Sequence, residues 1–589
     1  MFLLRLLPKA SDPNRILLIP VLFIHLDPSR IPTAEELDSI LCSVDPDPEL
    51  SRVTGATAAL RAVSLMLEAR VIPPSLYVDF FPHLYEWTVF IHAYWENIPG
   101  DYLLDLTQTY RASAIIILVL YQEDSIADIV SKAPGLRRIL AEFWAKFVRK
   151  LLPGVDDMEP TYILQFLFNE ITDANNFAEI LDGIGGTESD LAYLLVQQIN
   201  DTVARPVSRM TSMSLHTIIQ VLNTKRHDPL RAGMLFHDGV KAVIAAIAFE
   251  DQARFRWEIV GEAVYLGALF LLGNFESTSG AKWMSQALSA GLLKLIASLG
   301  SFRLTTAPRE MWYTYSILQR FLKKILPEYL MYYNIACQIK EALPRVLSIT
   351  STTPLTNSVI YPFWTEFAGL AEERLGALDF YLARRSTSMN ACENIQCRKT
   401  GQKTAFKSCA GCDVAYYCSR DCQKADWASG HRRSCRTPGS AGPSSARDRC
   451  YLRAILQYNF QFPAIRIQVL TRQAQFIGTE WIHVPSGTGW SDVKPMSDYY
   501  AAASARLVQL ARSAEVIRVH LATLSILDTT AYTPSSSAEC MFPVWSTSHL
   551  HDRLVRIVQS LPRGLQSAGL DAALVQPLRA LAASEANLF

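Results

Sequence analysis

A surplus of charge of either sign is missing from this chain. Lys plus Arg number 56, Asp plus Glu also 56, and the isoelectric point is near 7.1 over 589 residues. A chain that holds nucleic acid or an anionic membrane by bulk charge carries a basic excess, so neither partner is expected. Long apolar runs are missing too. The longest, Ala114–Tyr121 and Ala263–Gly273, fall short of the ~18–20 residues that a membrane span needs. The N-terminal stretch Met1–Ile24 is apolar only in patches. Arg5, Lys9, Asp12 and Arg15 interrupt it and no small-residue cleavage site follows, which argues against a secretory leader.

Catalytic signatures are also missing. The sequence has no His-Glu-x-x-His, no nucleophile elbow and no kinase set. Gly183-Ile-Gly-Gly-Thr187 lacks the Gly-Lys-Ser/Thr ending of a phosphate loop and reads as a helix-ending turn. Asp156-Asp157 reads as helix-start charge, His549 and His551 as surface or capping residues, and Pro485–Trp490 as a hairpin or loop. Cysteine is scarce over most of the chain. Only Cys42, Cys337, Cys450 and Cys540 lie outside residues 392–435, which hold the other seven of eleven. An odd total with one dense cluster is not a secreted disulfide framework. It predicts metal binding in a reducing, intracellular compartment, where the sequon Asn200-Asp201-Thr202 is a chance match.

What is present is ample core material. Hydrophobic residues make up 50 % and charged residues 19 %, and this length requires about two to four domains. Residues 1–385 read as helical, with apolar positions three and four apart: Leu136, Ile139, Leu140, Phe143 and Phe147; Val240, Val243, Ile244 and Ile247; Leu292, Leu295 and Ile296. Turn glycines Gly135, Gly239 and Gly291 precede these stripes at a step of 52 residues or twice that, and one more step reaches Leu343-Pro344. Such a step predicts an armadillo- or HEAT-like solenoid, each unit burying its face against its neighbours. Gly, Pro and Ser mark residues 436–447 as a flexible linker. Residues 448–589 read as a small α+β domain. Helices are expected over Arg449–Tyr458, Tyr499–Ser513 and Leu550–Gln559. Alternating strands are expected at Ile465-Ile467-Val469, Ile482-Val484 and Ile517-Val519-Leu521. The fold class is therefore mainly α.

The chemistry lies in Cys392-x4-Cys397-x11-Cys409-x2-Cys412-x5-Cys418-x3-Cys422-x8-His431-x3-Cys435. Eight thiolate or imidazole donors in 44 residues supply two tetrahedral zinc ions, four donors each. Cys409-x2-Cys412 has knuckle spacing. Cys418/Cys422 and His431/Cys435 are i, i+4 pairs, which on a helix point to one face. A segment this short, with few large apolar residues, folds only around metal. With all eight donors used, the zinc is structural, since a catalytic ion keeps a position open. From 392 to 436 nine Lys/Arg face four acids, so seven thiolates and two divalent ions leave about +2. The basic residues thus mostly screen the metal centres.

This pattern, with Tyr416-Tyr417-Cys418-Ser419-Arg420-Asp421-Cys422-Gln423-Lys424-Ala425-Asp426-Trp427 and Gly430-His431-Arg432-Arg433-Ser434-Cys435, resembles the MYND zinc finger. The x4 gap between Cys392 and Cys397 departs from the commoner x2, and Glu393–Gln396 can be looped out. The resemblance implies interleaved ligands: Cys392, Cys397, Cys418 and Cys422 on one zinc, Cys409, Cys412, His431 and Cys435 on the other. It also implies binding of short proline-containing peptides, with Gln423 and Trp427 matching residues that line the family's groove. A flat aromatic beside an amide suits an extended Pro-rich segment; Trp427 can equally shield the zinc. Some proteins with this finger are SET-type lysine methyltransferases. That domain's Asn-His-Ser-Cys-like segment is missing, and Asn459-Phe460-Gln461-Phe462 is a poor substitute. A long helical region before the finger resembles, in architecture, fungal MYND domain-containing proteins.

The sequence thus predicts a zinc-binding interaction or scaffold protein that is not an enzyme, with a protein partner, no direct nucleic acid and no membrane. An enzyme with an unrecognised site in the helical or C-terminal domain, or a transcriptional regulator acting by recruitment, is the alternative.

Overall fold

The computed structural model describes residues 15–42, 47–98, 106–151, 158–170, 173–223, 228–253, 257–277, 280–301, 309–350, 354–384, 389–392, 394, 397, 399–411, 415–435, 446–459, 481–486, 489–495, 517–527, 537–547, 556, 576 and 580. The chain is mainly α and divides into two compact units, Met1–Phe270 and Leu271–Phe589.

In the first unit, polar side chains start the helices by taking up the free N–H groups of the first turn. Thr33 and Glu36 form a capping box on Ala34–Leu41, and Ser208 and Thr211 form one on Arg209–Leu222. Asp173 accepts from the Asn175 and Asn176 N–H groups at the head of Ala174–Ile184. The apolar stripes of Leu136–Val148 and Gly239–Ala253 are buried along their whole length. Each such side chain contributes about 1.5–3 kcal/mol on leaving water, so burial dominates over the caps. Trp144 is fully buried, and its Nε1 donates to Gln198 Oε1 at 2.8 Å. Gln198 Nε2 donates in turn to Ser214 Oγ at 3.2 Å. This relay gives these three buried side chains partners and ties Leu136–Val148, Glu188–Val203 and Arg209–Leu222 together. No single described helix in either unit is long and apolar enough to cross a membrane.

Two of the three expected turn glycines sit in left-handed turns; at the third, Asp238 (φ +61°) makes the turn and Gly239 opens the helix. Gly135 (φ +77°) and Gly291 (φ +96°) are left-handed caps in front of Leu136–Val148 and Leu292–Gly300, a conformation that suits glycine. Gly183–Thr187 is indeed the turn that ends Ala174–Ile184. Helices open at residues 136, 188, 239 and 292, with three helices in each of the first three steps. The next step fails, because Leu343 and Pro344 lie inside the helix Tyr333–Thr350 and open nothing. The spacing therefore does not establish an armadillo or HEAT repeat.

In the second unit, the helices Tyr333–Thr350 and Tyr361–Arg384 pack on each other and on Ala446–Asn459. Tyr451, Leu452 and Ile455 complete a core with Ala336, Ala377 and Leu378. Asp448 Oδ1 accepts from the Tyr333 N–H at 2.8 Å, capping that helix from 115 residues away. Tyr451 Oη donates to the Arg374 carbonyl at 2.9 Å. Gly376 leaves room for Tyr458, whose hydroxyl would meet a Cβ there. The helix expected over 449–458 thus packs with the helices that precede the cysteine cluster, so the cluster is an excursion between two packed helices.

The strands beyond form one sheet. Trp481–Ser486 and Gly489–Pro495 make an antiparallel hairpin, pairing His483 with Val493. Ile517–Leu527 runs parallel to Trp481–Ser486 and antiparallel to Ser537–Thr547, from Ile517 opposite Thr547 to Leu527 opposite Ser537. The expected strands at 482–484 and 517–521 lie in this sheet. The expected strand at 465–469 and helix at 499–513 lie outside the described residues, as does 550–559 apart from helical Arg556.

Candidate metal centre

The cysteine cluster is built from short pieces, each fixing one or two donors. Met389–Ala391 pairs with Thr400–Gln402, and Cys392 follows directly. Its N–H donates to the Lys399 carbonyl at 2.9 Å, while the Cys397 N–H donates to Asn394 at 2.9 Å and closes a turn. Cys392 and Cys397 reach one donor group despite the longer gap between them. Lys407–Ser408 pairs with Tyr416–Tyr417, and the Cys409 N–H extends that ladder to the Ala415 carbonyl at 2.8 Å. Gly411 packs so close that a Cβ there would lie 2.7 Å from Cys435 Sγ. Cys412 lies outside the described residues. Ser419 caps the helix Arg420–Asp426, accepting from the Cys422 N–H at 3.2 Å. The helical run continues through a π turn, Trp427–His431, into Arg432–Cys435.

Two donor groups result. The thiols of Cys392, Cys397, Cys418 and Cys422 lie within 4.8 Å of one another, as do the donors of Cys409, His431 and Cys435. Cys397 and Cys418 sulfurs are 3.3 Å apart, Cys418 and Cys422 3.6 Å, Cys409 and Cys435 3.7 Å, and His431 Nε2 is 3.3 Å from Cys409 Sγ. These are free cysteines, not disulfides. Sulfurs each about 2.3 Å from one tetrahedral ion stand about 3.8 Å apart, so these spacings and this donor chemistry fit zinc. The groups interleave along the sequence. One helical run supplies Cys422 to the first and His431 and Cys435 to the second.

Cys418 precedes the Ser419 cap, so the i, i+4 pair Cys418/Cys422 straddles a helix start instead of sharing a helical face. The cap sets the geometry: its extended backbone turns Cys418 back toward Cys422. Burial pushes the Cys392 thiol up to about 12, and burial with the Cys418 thiol raises Cys397. The Ser419 hydroxyl holds the Cys422 thiol down at about 7. Four thiolates cannot share so small a volume without a cation, which is why such a site forms together with its metal.

Residues 392–435 match the family model of the MYND finger. This segment is a MYND finger. No curated protein and no solved structure matches the chain. The MYND match and the two Cys/His groups together make the segment a zinc-binding module of a kind that commonly mediates protein interaction.

Gln423 is half-buried on the finger's helix, and Trp427 is half-buried at its end. The Trp427 ring stands edge-on to His431 with centroids 5.7 Å apart and packs against the cysteine core, leaving one part open. Two features escape a spacing argument. The buried Tyr417 hydroxyl donates to the buried Asp426 carboxylate at 2.6 Å, and Gly411 makes the close approach to Cys435. A glycine inside the knuckle was the visible signal for the second; nothing in the sequence signals the first.

Proposed function

We propose that this protein is an intracellular, non-catalytic scaffold. Its MYND finger, holding two structural zinc ions, binds a proline-containing segment of a partner protein. Cys392, Cys397, Cys418 and Cys422 would hold one ion, and Cys409, Cys412, His431 and Cys435 the other. The supporting observation is the division of labour around one helix. Cys422 joins a donor group and Asp426 is buried, while Gln423 and Trp427, one turn apart, are each half-buried, Trp427 resting on the cysteine core with part of its ring open. An aromatic face beside an amide suits an extended Pro-rich peptide. The helical units would hold a second partner, and linkage would raise the effective concentration of one for the other. Neither nucleic acid nor membrane is part of this reading.

The test is metal content and peptide-array binding of the full chain. The expected result is two zinc ions per chain and capture of proline-containing peptides, lost in Trp427→Ala with zinc retained. Two zinc ions with no peptide capture would make the finger a structural brace and refute the reading.

A further inference from the structure

Beside Trp427, the exposed side of the finger's helix carries charge. At about 100° per residue, Arg420, Gln423, Lys424 and Trp427 fall within roughly 100° of arc. Arg420 and Lys424 are both exposed. Cys422 lies about 160° around the helix from each of them, so neither cation is aimed at the thiolates. Over the finger's described residues, Lys399, Lys407, Arg420, Lys424 and Arg432 are exposed, against one exposed acid, Asp421. No ion pair joins Arg420 or Lys424 to another described residue. These two exposed cations, with no ion-pair partner among the described residues, flank the aromatic contact and can meet an anionic ligand there.

We propose that the peptide recognised by this finger is acidic beside its proline, with Asp or Glu residues two apart facing Arg420 and Lys424. This rests on the peptide-binding reading above. The spacing follows from geometry. Four helical residues advance about 6 Å, and an extended Pro-rich strand advances about 3.1 Å per residue, so alternate peptide residues meet successive cations. Trp427 lies one helical turn further on, within reach of the adjoining proline. Exposed pairs of this kind are individually weak but act together on partner choice and encounter rate.

The experiment uses the full-length zinc-loaded protein and twelve-residue peptides bearing two prolines. Each peptide is made with Asp-x-Asp, Gln-x-Gln or Lys-x-Lys flanks and read by fluorescence anisotropy. At low salt the Asp-flanked series should bind about tenfold more tightly than the Gln-flanked one, and the advantage should shrink as salt rises. Arg420→Glu with Lys424→Glu, checked for unchanged zinc content, should invert the preference toward Lys flanks. Binding that needs Trp427 but ignores the flanks would overturn this inference and leave the peptide reading standing. No binding by any series would overturn both. Displacement of the Asp-flanked peptide by duplex DNA, itself dependent on Arg420 and Lys424, would overturn it in favour of a nucleic-acid surface.

Discussion

The Tyr417 hydroxyl and the Asp426 carboxylate, both buried, meet at 2.6 Å in the middle of the MYND finger. Tyr417 is the residue before Cys418 of the first donor group, and its ring stands edge-on to His431 of the second, with centroids 6.0 Å apart. The bond therefore joins the strand entering one group to the helix that serves both. Tyr417→Phe removes a donor from a buried carboxylate, a loss of about 1–3 kcal/mol. Both donor groups should release zinc at lower chelator concentration than in the wild type, read with a chromophoric chelator. Coincident release curves for variant and wild type would show that the bond does not brace the finger.

Gly411 gives a sharper test of how the second group is packed. A Cβ at this position would sit 2.7 Å from Cys435 Sγ and 3.8 Å from Cys409 Sγ, with little room to yield because both sulfurs are donors. Gly411→Ala should weaken metal binding at the second group and spare the first. Cobalt substitution reads this directly, because four-thiolate and three-thiolate–imidazole sites absorb differently. The three-thiolate band should fade while the four-thiolate band persists.

The two Cys/His groups were legible in the sequence because zinc chemistry fixes residue type and spacing together, and only a few turn geometries satisfy both. The helical stripes were legible for a similar reason: Leu136, Ile139, Leu140, Phe143 and Phe147 recur at helical spacing and are all buried. Long-range packing left no such trace. Nothing local marks Asp448 as the cap of a helix that begins 115 residues earlier. Pro344 misled in the other direction, since a proline that normally marks a helix boundary sits inside Tyr333–Thr350. The 52-residue step consequently breaks there.

The helix after the finger should behave as part of the helical body. Asp448→Ala removes the cap on Tyr333 and should cost about 1 kcal/mol, seen as a lower thermal midpoint with zinc content unchanged. A chain ending at residue 445 would expose Ala336, Ala377 and Leu378, which Tyr451, Leu452 and Ile455 cover. It should be poorly soluble. A soluble, cooperatively melting chain of that length would show that this helix is dispensable to the core.

Glu250 sets a pH dependence of its own. It lies on Gly239–Ala253 with 1 % of its surface exposed. Burial pushes its carboxyl from the ordinary 4.5 up to about 7, the Ser212 hydroxyl pulling the other way. The folded chain keeps this proton up to about pH 7, while the unfolded chain releases it near 4.5. Between those values the folded state binds more protons. The contribution is therefore fully present below about pH 4.5 and is lost as pH rises through 7, by an amount on the order of 3 kcal/mol. Glu250→Gln keeps the shape and removes the titration. Compared with the variant, the wild type should lose stability progressively from pH 4.5 to 7.5. Subtracting the two melting series cancels the opposite trend of the cysteine donors, whose metal is released on acidification. Parallel series across this range would mean that the Glu250 carboxyl has solvent access when folded and titrates near its ordinary value.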